Sequence, residues 1–229
     1  MRVLLSRFEY KFVLNLADYH RMKRQIQLLA KPDAHARLGG RYPVFTRYFD
    51  SPRYDYYFQK IDGEFHHIKV RLRSYDTKLN FPRSHLEAKI KYRDEQIKVK
   101  VPYGQDGTPE MKFIDQITAD LDLSASCHIY YEREAYQFTH QGRLLRLNFD
   151  HLISALWPHE FQMSSDLLNS RTFSDGGSVL MEVKLPTPEW PELLRKMLSE
   201  LSVKKLSFSK YAWGIGFLNQ LKGDEYGMG

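Results

Sequence analysis

Basic residues recur at every second position through several short segments of this chain: Lys69, Arg71 and Arg73, then Lys89 and Lys91, then Lys98 and Lys100. Alternate residues of a β-strand share a face, so each extended segment would carry its cations on one side. The other side would hold Ile68, Val70 and Leu72, or Ala88 and Ile90, or Ile97, Val99 and Val101. The same parity groups Tyr131 with Arg133, Arg146 with Asn148 and Asp150, and Glu182 with Lys184. A solvated sheet face usually mixes signs, because like charges opposed across strands repel. Cations gathered on face after face suit a polyanion held between them, with Arg clamping phosphate through its planar fork and Lys acting as a compact charge. Glu9, Glu87 and Glu182 appear singly on these faces. Such sparse carboxylates are candidates to hold Mg²⁺ or Mn²⁺, which take oxygen ligands and bridge to phosphate.

Turn and breaker residues divide the chain into many strand-length pieces with a few helical ones. The pattern predicts strands at 5–14, 42–49, 65–75, 84–92, 95–102, 127–138, 143–150 and 178–185. Helices are expected from an Asn15 or Asp18 cap to about Ala30, at 109–121, at 190–200 and from Ser209 to Leu221, with a helical turn at Asp55–Lys60. Residues 31–41 read as a loop, and residues 151–177 carry no clear period. An α+β fold whose antiparallel strands close into a barrel places the charged faces inside a tunnel, with the apolar faces outward against helices.

The length of 229 residues suits a single domain, 1–229, with its own core. Lys and Arg number 34 against 28 Asp and Glu, a net +6 that favours an anionic partner without choosing which. With 42% hydrophobic and 14% aromatic residues, the composition excludes a disordered chain. The single cysteine, Cys127, excludes an internal disulfide and a cysteine-based zinc site, and is expected to be a packed thiol. The expected compartment is the cytoplasm. No run approaches the roughly 18 apolar residues of a membrane span, so any membrane association would come through a partner protein. Adjacent His66 and His67 point to opposite strand faces and make a poor metal pair. Asp50 and Asp150, at predicted strand ends, read as turn caps.

The stretches Arg7-Phe-Glu-Tyr-Lys11, Tyr48-Phe-Asp-Ser-Pro52, Lys60-Ile-Asp-Gly63, Lys69-Val-Arg-Leu-Arg-Ser-Tyr75, Leu86-Glu-Ala-Lys89, Tyr131-Glu-Arg133, Arg146-Leu-Asn-Phe-Asp150, Met181-Glu-Val-Lys184 and Ser207-Phe-Ser-Lys-Tyr211 follow one another along the chain. In that order they resemble the polyphosphate polymerase domain of the vacuolar transporter chaperone (VTC) family, a branch of the triphosphate tunnel metalloenzymes. The resemblance implies a tunnel fold and transfer of the ATP γ-phosphoryl group to a growing polyphosphate chain. It implies that Lys11, Arg71, Arg73, Lys89, Arg133 and Lys210 contact phosphates with Tyr131. Lys69, Lys98, Lys100 and Arg146 would be further tunnel cations. Glu182 matches the carboxylate that carries Mn²⁺ or Mg²⁺, with Glu9 and Glu87 as possible support. Ser209 would offer backbone N–H groups at a helix start. The first strand has Arg7 where hydrolytic relatives have an acid, which favours the polymerase branch. Two alternatives stay open: hydrolysis of inorganic or nucleoside triphosphate in the same tunnel, and a non-catalytic module binding polyphosphate. A nucleic-acid partner is not expected, since a buried tunnel excludes duplex.

Overall fold

The computed structural model describes residues 8–33, 36, 40–76, 81–93, 95–160, 172, 177–201, 203 and 205–225. Arg7 and residues 161–171, within the stretch without clear period, lie outside the described residues. Within them the chain is α+β, with nine strands and five α-helices. The strands are β1 (Phe8–Asn15), β2 (Lys31–Pro32), β3 (Arg41–Asp50), β4 (His66–Ser74), β5 (His85–Tyr92), β6 (Glu95–Pro102), β7 (Ser124–His140), β8 (Arg143–Leu156) and β9 (Ser178–Leu185). The helices are α1 (Leu16–Gln27), α2 (Asp55–Ile61), α3 (Pro109–Thr118), α4 (Glu192–Ser199) and α5 (Lys210–Glu225). All pairings are antiparallel, in the order β1-β9-β8-β7-β3-β4-β5-β6, with the short β2 added to β7 inside the expected 31–41 loop.

Local chemistry sets the helix starts. Asn15 accepts a hydrogen bond from the Asp18 amide at the head of α1, and Thr108 accepts from the Met111 amide before Pro109 at the head of α3. Asp50 receives the backbone amides of Tyr56 and Tyr57 in α2 and the phenol of Tyr211 in α5, so one buried carboxylate ties two helices to the end of β3. The expected capping role of Asp50 is thus present. Asp150 differs: it is not at a turn, because β8 runs on to Leu156.

The apolar outer face of the sheet is covered as expected on its β1-β9-β8 side, where α1 buries Tyr19, Met22 and Ile26 against a cluster that includes Leu147, Phe149, Met181 and Val183. Under α1 the Glu134 carboxylate accepts from the phenols of Tyr19 and Tyr136 and pairs with Lys23 at 2.7 Å. A buried charge in that position is tolerable because its lone pairs are taken.

Two expectations need correction. The sheet is not a closed barrel: among the described residues no ladder joins β1 to β6. Residues 205–209 run beside β1 instead and reach across to α2 and β4, while Lys89 of β5 pairs with Glu9 of β1 at 2.9 Å. The Leu206 amide donates to the Lys11 carbonyl at 2.9 Å, and Lys60 and Lys69 reach the hydroxyls of Ser207 and Ser209 at 3.0 and 2.9 Å. Nor do all helices lie outside. The β7–β8 register shifts between Tyr130 and Glu132, where Leu152 takes φ 49°, and this reverses the parity of β8. Ile153 and Ala155 thereby join the face that carries Arg146 and Asp150. Together with Ile129 they make an apolar end to the inner face, and α5 packs on it through Tyr211, Ile215 and Leu218. The approach requires Gly214, since a Cβ there would lie 2.5 Å from the Ile129 side chain.

Candidate phosphate-binding tunnel

The curled sheet, the seam segment and the start of α5 enclose a cavity of about 230 Å³. β4 supplies Lys69, Arg71 and Arg73, β5 and β6 supply Lys89 and Lys98, and β7 and β8 supply Tyr131, Arg133 and Arg146. Glu9 and Lys11 come from β1, Glu182 and Lys184 from β9, and Ser209 and Lys210 from the start of α5. Thirteen of the fifteen lining residues are ones that the sequence resemblance points to; Tyr48 and Lys184 are the additions. A second cavity of about 290 Å³ shares Glu9, Lys11, Lys69 and Lys89 with the first and continues past Lys60, His67, Lys91 and Lys205. The basic surface is therefore continuous along the tunnel.

Two carboxylates are committed to cations and hold the wall in shape. Glu87 lies behind the lining, almost wholly buried, and meets Arg71 at 2.7 Å, Lys98 at 3.0 Å and Arg73 at 3.8 Å. Burial pushes its carboxyl up, but these three cations together hold it well below the usual range. With its oxygens so occupied it is a poor metal ligand. Asp150 takes two bonds from Arg133, at 2.6 and 2.8 Å, and one from Lys210 at 2.5 Å. Bidentate pairing fixes the plane of the Arg133 guanidinium. Arg133 and Lys210 also sit over the Tyr131 ring, at 5.2 and 4.7 Å from its centre. Ser209 uses its hydroxyl to cap α5, 3.4 Å from the Ala212 amide, while receiving Lys69.

Glu182 and Glu9 remain facing the cavity. Glu182 lies 3.4 Å from Arg133 and 3.3 Å from Lys184, and Glu9 lies 2.9 Å from Lys89 and 3.8 Å from Lys184. No group of three or more His, Cys, Asp or Glu side chains suited to a metal occurs among the described residues. That donor set fits Mg²⁺ or Mn²⁺, which commonly takes one or two carboxylates and completes its shell with phosphate oxygens and water. Of the expected tunnel cations, Lys100 is displaced: on edge strand β6 it is exposed and leans to 5.9 Å from the centre of the Tyr75 ring, outside the cavity lining. Parity fixes a residue's face and says nothing of its depth. The parity of Glu182 with Lys184 was the signal for the added lysine.

The lysines are crowded and partly buried. Burial, with Lys89, Lys210 and Lys184 nearby, lowers Lys11 to about 7 despite Glu9. Burial likewise lowers Lys98 to about 7 and Lys184 to about 8. Because these values lie below those of the unfolded chain, the unfolded chain binds more protons between about pH 7 and 10, and these groups make the empty fold more stable as pH rises. A phosphate chain should reverse that preference. Long-chain polyphosphate, measured calorimetrically without metal, is expected to bind at least about tenfold more weakly at pH 9 than at pH 6.5. A flat profile would contradict the crowding.

The VTC domain family model matches residues 6–219. No curated protein matches the chain in sequence. In fold the chain is similar to a Hippeastrum protein named for adenylyl cyclase and described as revealing a dominant triphosphatase activity. The TM-score is 0.54 and the identity 13%, over 90% of this chain and 93% of that one. It is similar also to a Bacillus halodurans protein named for adenylate cyclase, with TM-score 0.50 and 10% identity over 91% of this chain and 96% of that one. Both likenesses are of fold, and they accord with the fold that the sequence resemblance implies.

Proposed function

Because the chain belongs to the VTC domain family, we propose that it is a metal-dependent polyphosphate polymerase that uses ATP. The observation that carries this reading is the continuity of the two cavities: one wall of cations runs past the acidic pair and on toward Lys60, Lys91 and Lys205, which suits a chain longer than a nucleotide's triphosphate. A terminal oxygen of the acceptor chain attacks the γ-phosphorus, a new P–O–P bond forms, and the bond to the β-phosphate oxygen breaks to release ADP. Phosphoryl transfer of this kind needs in-line positioning and neutralisation of charge rather than a covalent protein nucleophile. Arg71 and Arg73, anchored on Glu87, and Arg133, anchored on Asp150, present preorganised donors to the equatorial oxygens. Lys11, Lys69, Lys89 and Lys210 add compact point charges. Glu182, with Glu9 beside it, would hold Mg²⁺ or Mn²⁺. When bound, that ion would supply neutralisation of phosphate charge.

The reading predicts polymer from purified protein, ATP and Mn²⁺ on a gel, with and without a polyphosphate primer, and its loss in Glu182→Gln. Phosphate release without polymer would favour the triphosphatase alternative. Polyphosphate binding that survives Glu182→Gln, with no ATP turnover, would favour a non-catalytic module. No helix among the described residues is long and apolar enough to cross a membrane. We assign the work to the cytoplasmic side, with ATP and polyphosphate as ligands and any membrane contact through a partner protein.

A further inference from the structure

The acidic pair that would take the metal is already occupied by a cation of the protein's own. In the β1–β9 register Glu9 lies opposite Lys184, and Lys11 lies opposite Glu182, so two acids and two lysines form a crossed square on the cavity wall. The two lysines behave differently. Lys11 donates to the Phe208 carbonyl at 2.9 Å while its charge still acts on Glu9. Lys184 keeps its ammonium between the acids, 3.3 Å from Glu182 Oε1 and 3.8 Å from Glu9 Oε1. Each acid retains another partner if Lys184 leaves: Arg133 for Glu182 and Lys89 for Glu9.

We propose that Lys184 is a placeholder for the divalent metal: its ammonium holds the Glu9–Glu182 pair in the metal-free protein and yields that position when metal and phosphate arrive together. This rests on the reading of Glu182 as a metal ligand. A lone metal ion must displace a resident positive charge that has nowhere favourable to go, among Arg73, Arg133 and Arg146. With a phosphate chain in the cavity, the released ammonium finds anionic oxygens on the same wall. Metal and phosphate therefore bind with positive coupling, each strengthening the other by the same factor. In this role Lys184 is a positioning residue that acts through the carboxylates.

The test is Mn²⁺ binding followed by electron paramagnetic resonance of free Mn²⁺, on the full chain, with and without a non-hydrolysable ATP analogue, each referred to a protein-free titration that accounts for Mn²⁺ held by the analogue itself. In the native protein the analogue should tighten Mn²⁺ binding by about tenfold or more. Lys184→Met, which keeps the length of the side chain and removes its charge, should bind Mn²⁺ alone about tenfold more tightly than native and gain less from the analogue than native does. Lys184→Arg, which restores a cation, should return toward native behaviour and guards against a mere packing effect. Equal Mn²⁺ affinity in native and Lys184→Met, or an Arg variant that follows Met, overturns the placeholder role while leaving the metal site standing. If Glu182→Gln changes Mn²⁺ binding in neither the native nor the Lys184→Met background, the metal site itself is wrong and the placeholder falls with it.

Discussion

Replacing Asp150 with alanine is expected to lower the thermal midpoint by roughly 6–20 °C, the counterpart of about 3–5 kcal/mol in a chain of this size. Asp150 is fully buried and compensates two cations at once, Arg133 and Lys210. Deleting it leaves both charges in a dry wall that already contains Arg73 and Lys184. The loss should be partly recovered by tripolyphosphate, because an anion in the cavity can take the place of the missing carboxylate. Asp150→Asn should fall between the two, keeping hydrogen-bond acceptance without charge. Differential scanning calorimetry at neutral pH, with and without tripolyphosphate, measures all three. A variant within about 2 °C of native would mean that Asp150 is not the anchor of this wall.

Arg73→Ala should have the opposite signature. The Arg73 guanidinium touches Glu87 only at 3.8 Å and the Thr46 hydroxyl at 3.4 Å, while Glu87 keeps the closer Arg71 and Lys98. Removing Arg73 therefore takes the most distant of three cations from Glu87 and leaves the two closer ones in place. Stability should change little. Polymer synthesis should fall by roughly 10²–10³, the usual cost of one preorganised donor to a phosphoryl transition state. Paired measurements of melting and of polymer on a gel separate the two outcomes. Full activity in Arg73→Ala would remove Arg73 from the machinery.

The contrast between Asp150 and Arg73 shows where sequence reading stops. Alternation in Lys69-Val-Arg-Leu-Arg and its counterparts is a local property of extended backbone, so the charged face of each strand was readable without coordinates. Which cations are free for a ligand depends on partners far along the chain. Arg133 with Asp150, or Arg71 with Glu87, meet only through strand pairing. Depth was hidden for the same reason: Lys98 and Lys100 share a face, yet one lines the cavity and the other is exposed on an edge strand. The 151–156 stretch defeated the pattern because β8 changes parity at Leu152, and the apolar residues beyond it turn inward beneath α5. The β1 seam was unreadable because Lys205, Leu206 and Ser207 carry no strand-like period, and their position follows from where α5 must begin.

That seam bears on how a polymer gets in. A ring of strands closed by a complete ladder can be threaded only by a free end, like a bead. This ring has a clasp. The described backbone link across it is the Leu206–Lys11 bond, helped by the Lys60–Ser207 and Lys69–Ser209 contacts. The Lys89–Glu9 ion pair, at 2.9 Å, also joins β5 to β1 there. Lys69 and Lys11 lie beside the opening and belong to both cavities. On the proposed function, a cover held in this way would let a long phosphate chain enter from the side, which a closed ladder would not.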